Sequence, residues 1–303
     1  MIDITHKHYT LRKALAHAVV TVSEAATITA LQQKNIPKGD VLELARAAAL
    51  FAIKKTSDVI PLCHPLPVEY AAVSFEITDL QIHITTEVHA IYRTGVEVEA
   101  MHGAAIAALT LYDMLKPVDP FIVISAITPG KKEGGKSSHT APSPAALTCA
   151  VVVCSDSVAA QVKEDTAGKA IVAQLQQHGL STGYYGVIPD DFALIQRQVH
   201  QLSEEGYQLV LFTGGTGLSP RDITPDAIAP LLSRPVPGIM EAARQYGQER
   251  TPYAMLSRGV AGFVNDTLVI TLPGSTRGAT ETMQALFPYI LHVFKVAQGA
   301  RHD

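Results

Sequence analysis

The chain has 303 residues, of which 47% are hydrophobic and 17% charged, with a formal net charge of −4. That profile belongs to an ordinary globular chain long enough for two cores. It excludes a membrane-spanning helix, a secretion signal in MIDITHKHYT and the basic excess of a nucleic-acid binder, so a cytoplasmic location with neither membrane nor nucleic-acid partner is expected. The three cysteines, Cys63, Cys149 and Cys154, form no paired motif and imply no disulfide framework.

Taken in chain order, residues 39–59 are strongly helical in composition. DVIPLCHPLPV (58–68) follows, with three prolines around Cys63 and His64. Proline fixes φ and pushes its predecessor toward extended geometry, so this is a rigid loop and not a helix. A metal or nucleophilic pair made of Cys63 and His64 is disfavoured, because neighbours in an extended chain face opposite ways. A structural loop histidine is the plain alternative.

Val68 to Ile91 alternates in strand fashion, and Glu99 to Lys116 is helical again. On that helix Asp113 and Lys116 share a face, with Glu97 and Glu99 at its start. His102 lies near the face of Asp113, but about 16 Å from it along the axis. His83, Glu87 and His89 alternate onto one strand face over about 20 Å, which suits a solvated sheet face and not a metal site. GKKEGGKS (130–137) satisfies the P-loop expression but precedes SHTAPSP where a helix is required. Helices beside antiparallel strands predict an α+β sandwich.

SSHTAPSPAALT (137–148) has neither helical nor strand period and reads as a linker. The boundaries expected are a first domain over 1–138, a connection over 139–146 and a second domain over 147–303. Beyond the linker the order becomes strand–helix–strand, from LTCAVVV through TAGKAIVAQLQQHG, STGYYGVI, DFALIQRQVHQLSEEG and YQLVLFT to TLVITL and a last helix. This predicts a doubly wound, mainly parallel sheet with ligands at the carboxyl ends of its strands. Two loops fall there, TGGTGLSPRDITPDA (213–227) and ITLPGSTRGATETM (270–283). Each is a glycine turn between strand and helix, and together they imply a phosphorylated ligand. Asp165 and Asp190 complete an acidic set of the kind that accompanies Mg²⁺ and phosphate.

IPLCHPL, TGVEVEA, LTLYDMLK and GGKS, in that order, resemble the cyclic pyranopterin monophosphate synthases, the MoaC family, over essentially the whole first domain. The resemblance implies a ferredoxin-like α+β domain. It implies an oligomer whose site crosses a subunit interface, and conversion of cyclised dihydro-GTP to cyclic pyranopterin monophosphate and pyrophosphate. By motif, the functional residues it implies are Lys38, His64, Glu97, Glu99, Asp113, Lys116 and Lys132, with Cys63 beside the substrate. Carboxylates, an imidazole and a buried lysine would serve the several proton transfers, and lysines would compensate triphosphate charge. Met101 and His102 depart from the usual Leu-Thr pair, and KEGGKSS departs from KSGGKSG.

GGTGLSPRDITPDAI and LPGSTRG resemble the molybdopterin-binding family of MogA- and MoaB-type proteins over roughly 147–303. Active members transfer adenylate from MgATP to molybdopterin. The resemblance implies functional aspartates at Asp190 and Asp222, with Mg²⁺ carried by the nucleotide. It implies ligand contacts at Gly214, Gly215, Thr216, Gly217 and Ser275, and at Glu241 in PGIMEAAR. No tightly bound organic cofactor is expected. Ala167 stands where a serine is usual. The rival reading keeps the first enzyme and makes the second domain a molybdopterin carrier or scaffold.

Overall fold

The computed structural model describes residues 1–135 and 147–299. Its contacts separate into two units, before and after residue 140. The expected connection, 139–146, lies outside the described residues.

The first unit runs β1 (Thr10–Thr21), α1 (Ala25–Gln32), α2 (Val41–Lys54), α3 (Thr56–Val59), β2 (Tyr70–Thr78), β3 (Gln81–Tyr92), α4 (Glu97–Leu115) and β4 (Val123–Glu133). The strands form one antiparallel sheet in the order β2-β3-β1-β4, the ferredoxin-like arrangement. In β1 every second residue turns inward, burying Ala14, Ala16, Ala18 and Val20. Period-two alternation of this kind lets one face meet the helices while the other stays accessible. Strand character over Thr10–Thr21 and Val123–Glu133 is absent from the sequence reading. GKKE (130–133) lies within β4, so the P-loop resemblance meets a strand where a helix start is required.

Helices α2 and α4 pack on each other and on the sheet through small residues. Ala45, Ala49 and Ile53 of α2 meet Ala100, Gly103, Ala104 and Ala107 of α4 in one buried cluster. A Cβ on Gly103 would lie 2.6 Å from Ile53 Cγ1, so the Ile53 side chain packs into the space that glycine leaves on α4. Beyond α4, the buried carboxylate of Asp119 accepts hydrogen bonds from Ser23 N and Phe121 N and from the hydroxyls of Ser23 and Thr27. It ties the exit of α4 to the turn after β1.

The second unit runs β5 (Thr148–Cys154), α5 (Asp156–Ala159), α6 (Ala167–Gln177), β6 (Ser181–Ile188), α7 (Phe192–Glu204), β7 (Leu209–Thr213), α8 (Thr224–Ile228), β8 (Arg234–Pro235), α9 (Pro237–Gln248), β9 (Ala261–Val264), β10 (Thr267–Leu272), α10 (Thr276–Leu286) and α11 (His292–Ala297). The sheet order is β6-β5-β7-β10-β9-β8, parallel through β10 and antiparallel at the β9–β8 end. Strands β7 and β10 are buried along their whole length, which is why they read as unbroken apolar runs. One core packs α6, α9 and α10 against the sheet, and a second packs α7 and α8 on the other face. The sheet is therefore doubly wound. Its order reverses at β5, which lies between β6 and β7, and this opens a crevice at the carboxyl ends of those strands.

Replacement of Gly103 by Val is expected to destabilise the first unit by about 1–3 kcal/mol through overpacking against Ile53. The midpoint of urea unfolding, followed by helical circular dichroism, measures it.

Candidate functional sites in the two units

In the first unit the chemistry-bearing side chains gather at the two ends of α4. At its start Glu99 is 2% exposed. Its Oε1 accepts a hydrogen bond from Cys63 Sγ at 3.2 Å, while its Oε2 is buried with no hydrogen-bond partner. Burial pushes the Glu99 carboxyl above its ordinary range, and neighbouring Glu97 adds to the shift against the bonds that favour the charged form. Burial and the Glu99 contact push the Cys63 thiol up to about 11, so it is a hydrogen-bond donor and not a thiolate nucleophile. Glu97 pairs with Lys132 at 3.1 Å, which brings the end of β4 to the same corner.

The stretch around His64 is irregular, as its prolines require. His64 Nε2 donates to the carbonyl of Ile2 at 2.8 Å, which leaves Nδ1 as the acceptor nitrogen. Nearby, His102 meets the Thr56 hydroxyl at 3.1 Å. That hydroxyl lies within reach of the carbonyls of Ala52 and Ile53, to which it gives its hydrogen, so His102 Nδ1 is the donor. No sequence motif pointed to this contact.

At the far end of α4, Asp113 accepts from Lys38 at 2.8 Å and from Lys116 at 2.8 Å, and its backbone carbonyl accepts from Lys38 at 2.7 Å. Hydrogen bonds from both lysines hold the Asp113 carboxyl at about 2. The same bond raises Lys116, whose side chain is 49% exposed. The expectation of a buried lysine is therefore corrected: Lys116 emerges where α4 ends, and Asp113 keeps it a cation. Fourteen residues separate Glu99 from Asp113, about 21 Å along a helix. Six of the seven residues singled out in the sequence thus fall at the two ends of α4, and His64 follows Cys63 with its own bond to Ile2. His89 pairs with Glu87, and among the described residues no group of three His, Cys, Asp or Glu could hold a metal.

In the second unit the crevice at β5, β6 and β7 holds a cavity of about 220 Å³. Ser155, Lys163, Asp165, Ala167, Asp190, Gly214, Gly215 and Asp222 are among the residues lining it. Gly214 has φ +100°, and any Cβ there would collide with the Cys154 carbonyl oxygen. Asp190 Oδ2 accepts from Asp156 N at 3.2 Å, whereas its Oδ1 is buried without a partner. Burial raises the Asp190 carboxyl, and the charges of Asp156 and Asp222 raise it further. Asp222 Oδ2 accepts from Ser219 N at 2.8 Å.

Asp165 is engaged differently: one oxygen accepts from Gly168 N at the start of α6, and Tyr185 OH donates to the other. It is a structural cap at the cavity wall. Ser275 caps α10 and borders a neighbouring groove with Arg244 and Glu281. Thr216 is buried in the glycine loop. Glu241 is exposed on α9 and lines neither cavity. Arg258, Asp156 and Tyr185 stand out only in the structure, since each comes from a segment without a motif.

Residues 1–135 match the model of the MoaC family, and residues 150–292 match that described as "Probable molybdopterin binding domain". The class is thus a fusion of two modules of molybdenum cofactor synthesis. A "Molybdenum cofactor biosynthesis bifunctional protein" of Chlorobaculum tepidum is 40% identical over the whole chain and 96% of its own length. The chain belongs to the family of bifunctional molybdenum cofactor biosynthesis proteins. Its first part is also 47% identical to a "Cyclic pyranopterin monophosphate synthase" of Nitratidesulfovibrio vulgaris, covering 45% of this chain and 86% of that one. The solved structure of the molybdopterin biosynthesis enzyme MoaB of Thermus thermophilus aligns with 37% identity and a TM-score of 0.48, covering 52% of this chain and 99% of that one.

Because the raised Glu99 carboxyl is better protonated folded than unfolded, wild-type stability falls as pH rises past the unfolded carboxylate value and levels off above the folded one. Glu99→Gln removes this dependence. The variant is expected to melt higher than wild type at pH 8, with the difference vanishing toward pH 4. Thermal unfolding across that pH series measures it.

Proposed function

We propose that the first domain converts cyclised dihydro-GTP to cyclic pyranopterin monophosphate and pyrophosphate, and that its site is assembled between two chains of a homo-oligomer. The observation that carries the second part is the length of α4. Clusters about 21 Å apart cannot both act on one reacting ring system, so the Cys63–Glu99 end of one protomer is completed by the Lys38–Asp113–Lys116 end of another. Glu99, whose carboxyl burial pushes toward its protonated form, donates a proton during ring opening, and its unpartnered Oε2 faces the substrate. Lys116 and Lys38, kept in place by Asp113, neutralise the triphosphate. Lys132 and Glu97 border the same pocket, and His64, fixed by its prolines and by Ile2, positions the substrate through Nδ1.

For the second domain the reading is adenylylation of molybdopterin: its phosphate attacks the α-phosphate of ATP and pyrophosphate leaves. The convergence of Asp190, Asp222, Lys163, Gly214 and Gly215 on one cavity carries it. Backbone amides of the glycine turn cradle phosphate oxygens. The orphaned Asp190 Oδ1, with Asp222 lining the same cavity, is a hard-oxygen set suited to Mg²⁺, which takes one or two carboxylates and completes its shell from phosphates and water. When bound, Mg²⁺ neutralises charge on the phosphates. Ala167 in the cavity wall supports the second reading, a carrier that binds molybdopterin without turnover.

Lys116→Ala and Glu99→Gln are each expected to lower synthase turnover by about 10²–10⁴-fold. Unfolded and refolded together, they regain about one quarter of wild-type activity, since half the pairs are mixed and one of the two sites in each is intact. Absence of recovery refutes the shared site. Asp222→Asn is expected to abolish pyrophosphate release from MgATP and molybdopterin. Tight molybdopterin retention by a wild-type protein that releases none would establish the carrier.

A further inference from the structure

We propose that Arg258 is the positioning residue of the second site: it sets the loop that carries Asp222, acting from outside the cavity. The inference rests on the adenylylation reading for its kinetic consequence.

Arg258 lies between α9 and β9, some forty residues beyond the loop it serves. Its backbone N donates to Thr216 O at 3.1 Å. Its Nε donates to Gly217 O at 2.8 Å, and its Nη2 to the backbone carbonyl of Asp222. Its Nη1 meets both carboxylate oxygens of Asp226 at 3.0 Å. One guanidinium therefore joins the glycine turn, the Asp222 backbone and the start of α8. It does not line the cavity, so any effect on the ligand passes through the loop.

Within the loop, Ser219 N reaches Asp222 Oδ2 and Asp222 N reaches Ser219 O, both at 2.8 Å, and Thr224 N reaches Gly215 O at 3.1 Å. These contacts shape the loop locally. Only Arg258 among the described side chains links Gly217, Asp222 and Asp226 to one another. The three acceptors diverge, and a planar fork with five N–H groups matches them where a lysine ammonium on a single stem cannot. Losing the fork leaves the carbonyls of Gly217 and Asp222 short of a partner and frees Asp222 to shift against Asp190.

The test uses the full-length protein and its Arg258→Lys, Arg258→Ala and Asp226→Asn variants. Steady-state pyrophosphate release from MgATP and molybdopterin is measured beside hydrogen–deuterium exchange over residues 214–226. Arg258→Lys, which keeps the charge, is expected to lower kcat about 100-fold. KM for MgATP stays within about threefold, and exchange accelerates in 214–226 alone. Asp226→Asn, which still accepts one bond, is expected to fall about tenfold. Wild-type turnover and exchange in Arg258→Lys overturn the proposal. So does a loss of turnover that merely follows the fraction unfolded. If the wild type releases no pyrophosphate, the adenylylation reading fails by itself. Exchange and molybdopterin retention then decide: loosening confined to 214–226 with weaker retention upholds positioning, and unchanged values overturn it.

Discussion

Each domain buries one carboxylate oxygen without a partner, Oε2 of Glu99 in the first and Oδ1 of Asp190 in the second. Burial of this kind is unfavourable unless something else repays it, and the surrounding fold has to withstand the cost. Glu99 rests on a helix start clamped between sheet and neighbouring helix. Asp190 follows a strand of the parallel sheet and is steadied by the Asp156 amide. Contrast Asp119 and Asp165, which are buried with both carboxylate oxygens hydrogen-bonded. Those two hold the fold together, whereas the other pair each keeps an oxygen available for a further partner.

The small-residue contact between α2 and α4 explains how such a carboxylate is held. Because Gly103 admits Ile53 to the helix backbone, α4 cannot roll or slide without a clash, and Glu99 four residues earlier keeps its direction. The same rigidity carries to the other end, where Asp113 receives two ammonium groups. One well-packed helix therefore orients two chemically distinct surfaces, a buried carboxyl with a thiol at one end and a charged triad at the other. The second domain solves the same problem with strand ends and a loop. A loop lacks a helix's internal bonding, and Arg258 supplies the missing constraint from a distant segment.

Much of this was legible in the sequence, for reasons that differ by element. Buried parallel strands such as LVLFT and TLVITL announce themselves because both faces are apolar. By contrast, TLRKALAHAVVT hides a twelve-residue strand behind alanines, whose smallness serves the tight helix layer above and leaves no β-branched pattern to read. Residues 123–133 hide another, since Pro129 and Gly130 look like a turn but are tolerated on the sheet's outer strand, where the register shifts against β1. Asp222 and the Lys116–Asp113 pair sit within compact motifs, and the family resemblance those motifs carry is what singles them out. The division of the first set between two ends of a helix follows from 3.6-residue geometry, yet only the fold attaches Cys63 and Lys132 to one end and Lys38 to the other. Tyr185, Asp156 and Arg258 carry no local signal, because their partners are distant in sequence. Glu241, chosen by motif, turns outward.

The span of α4 between its two clusters also sets a rule of phase. Each helical residue advances the chain by about 100°, so fourteen of them bring Asp113 back to within roughly 40° of the direction of Glu99. A single inserted or deleted residue between them would swing one cluster about a quarter-turn away from the other while sparing every hydrogen bond of the helix. The length of the 99–113 stretch therefore carries information of its own, separate from the side chains along it.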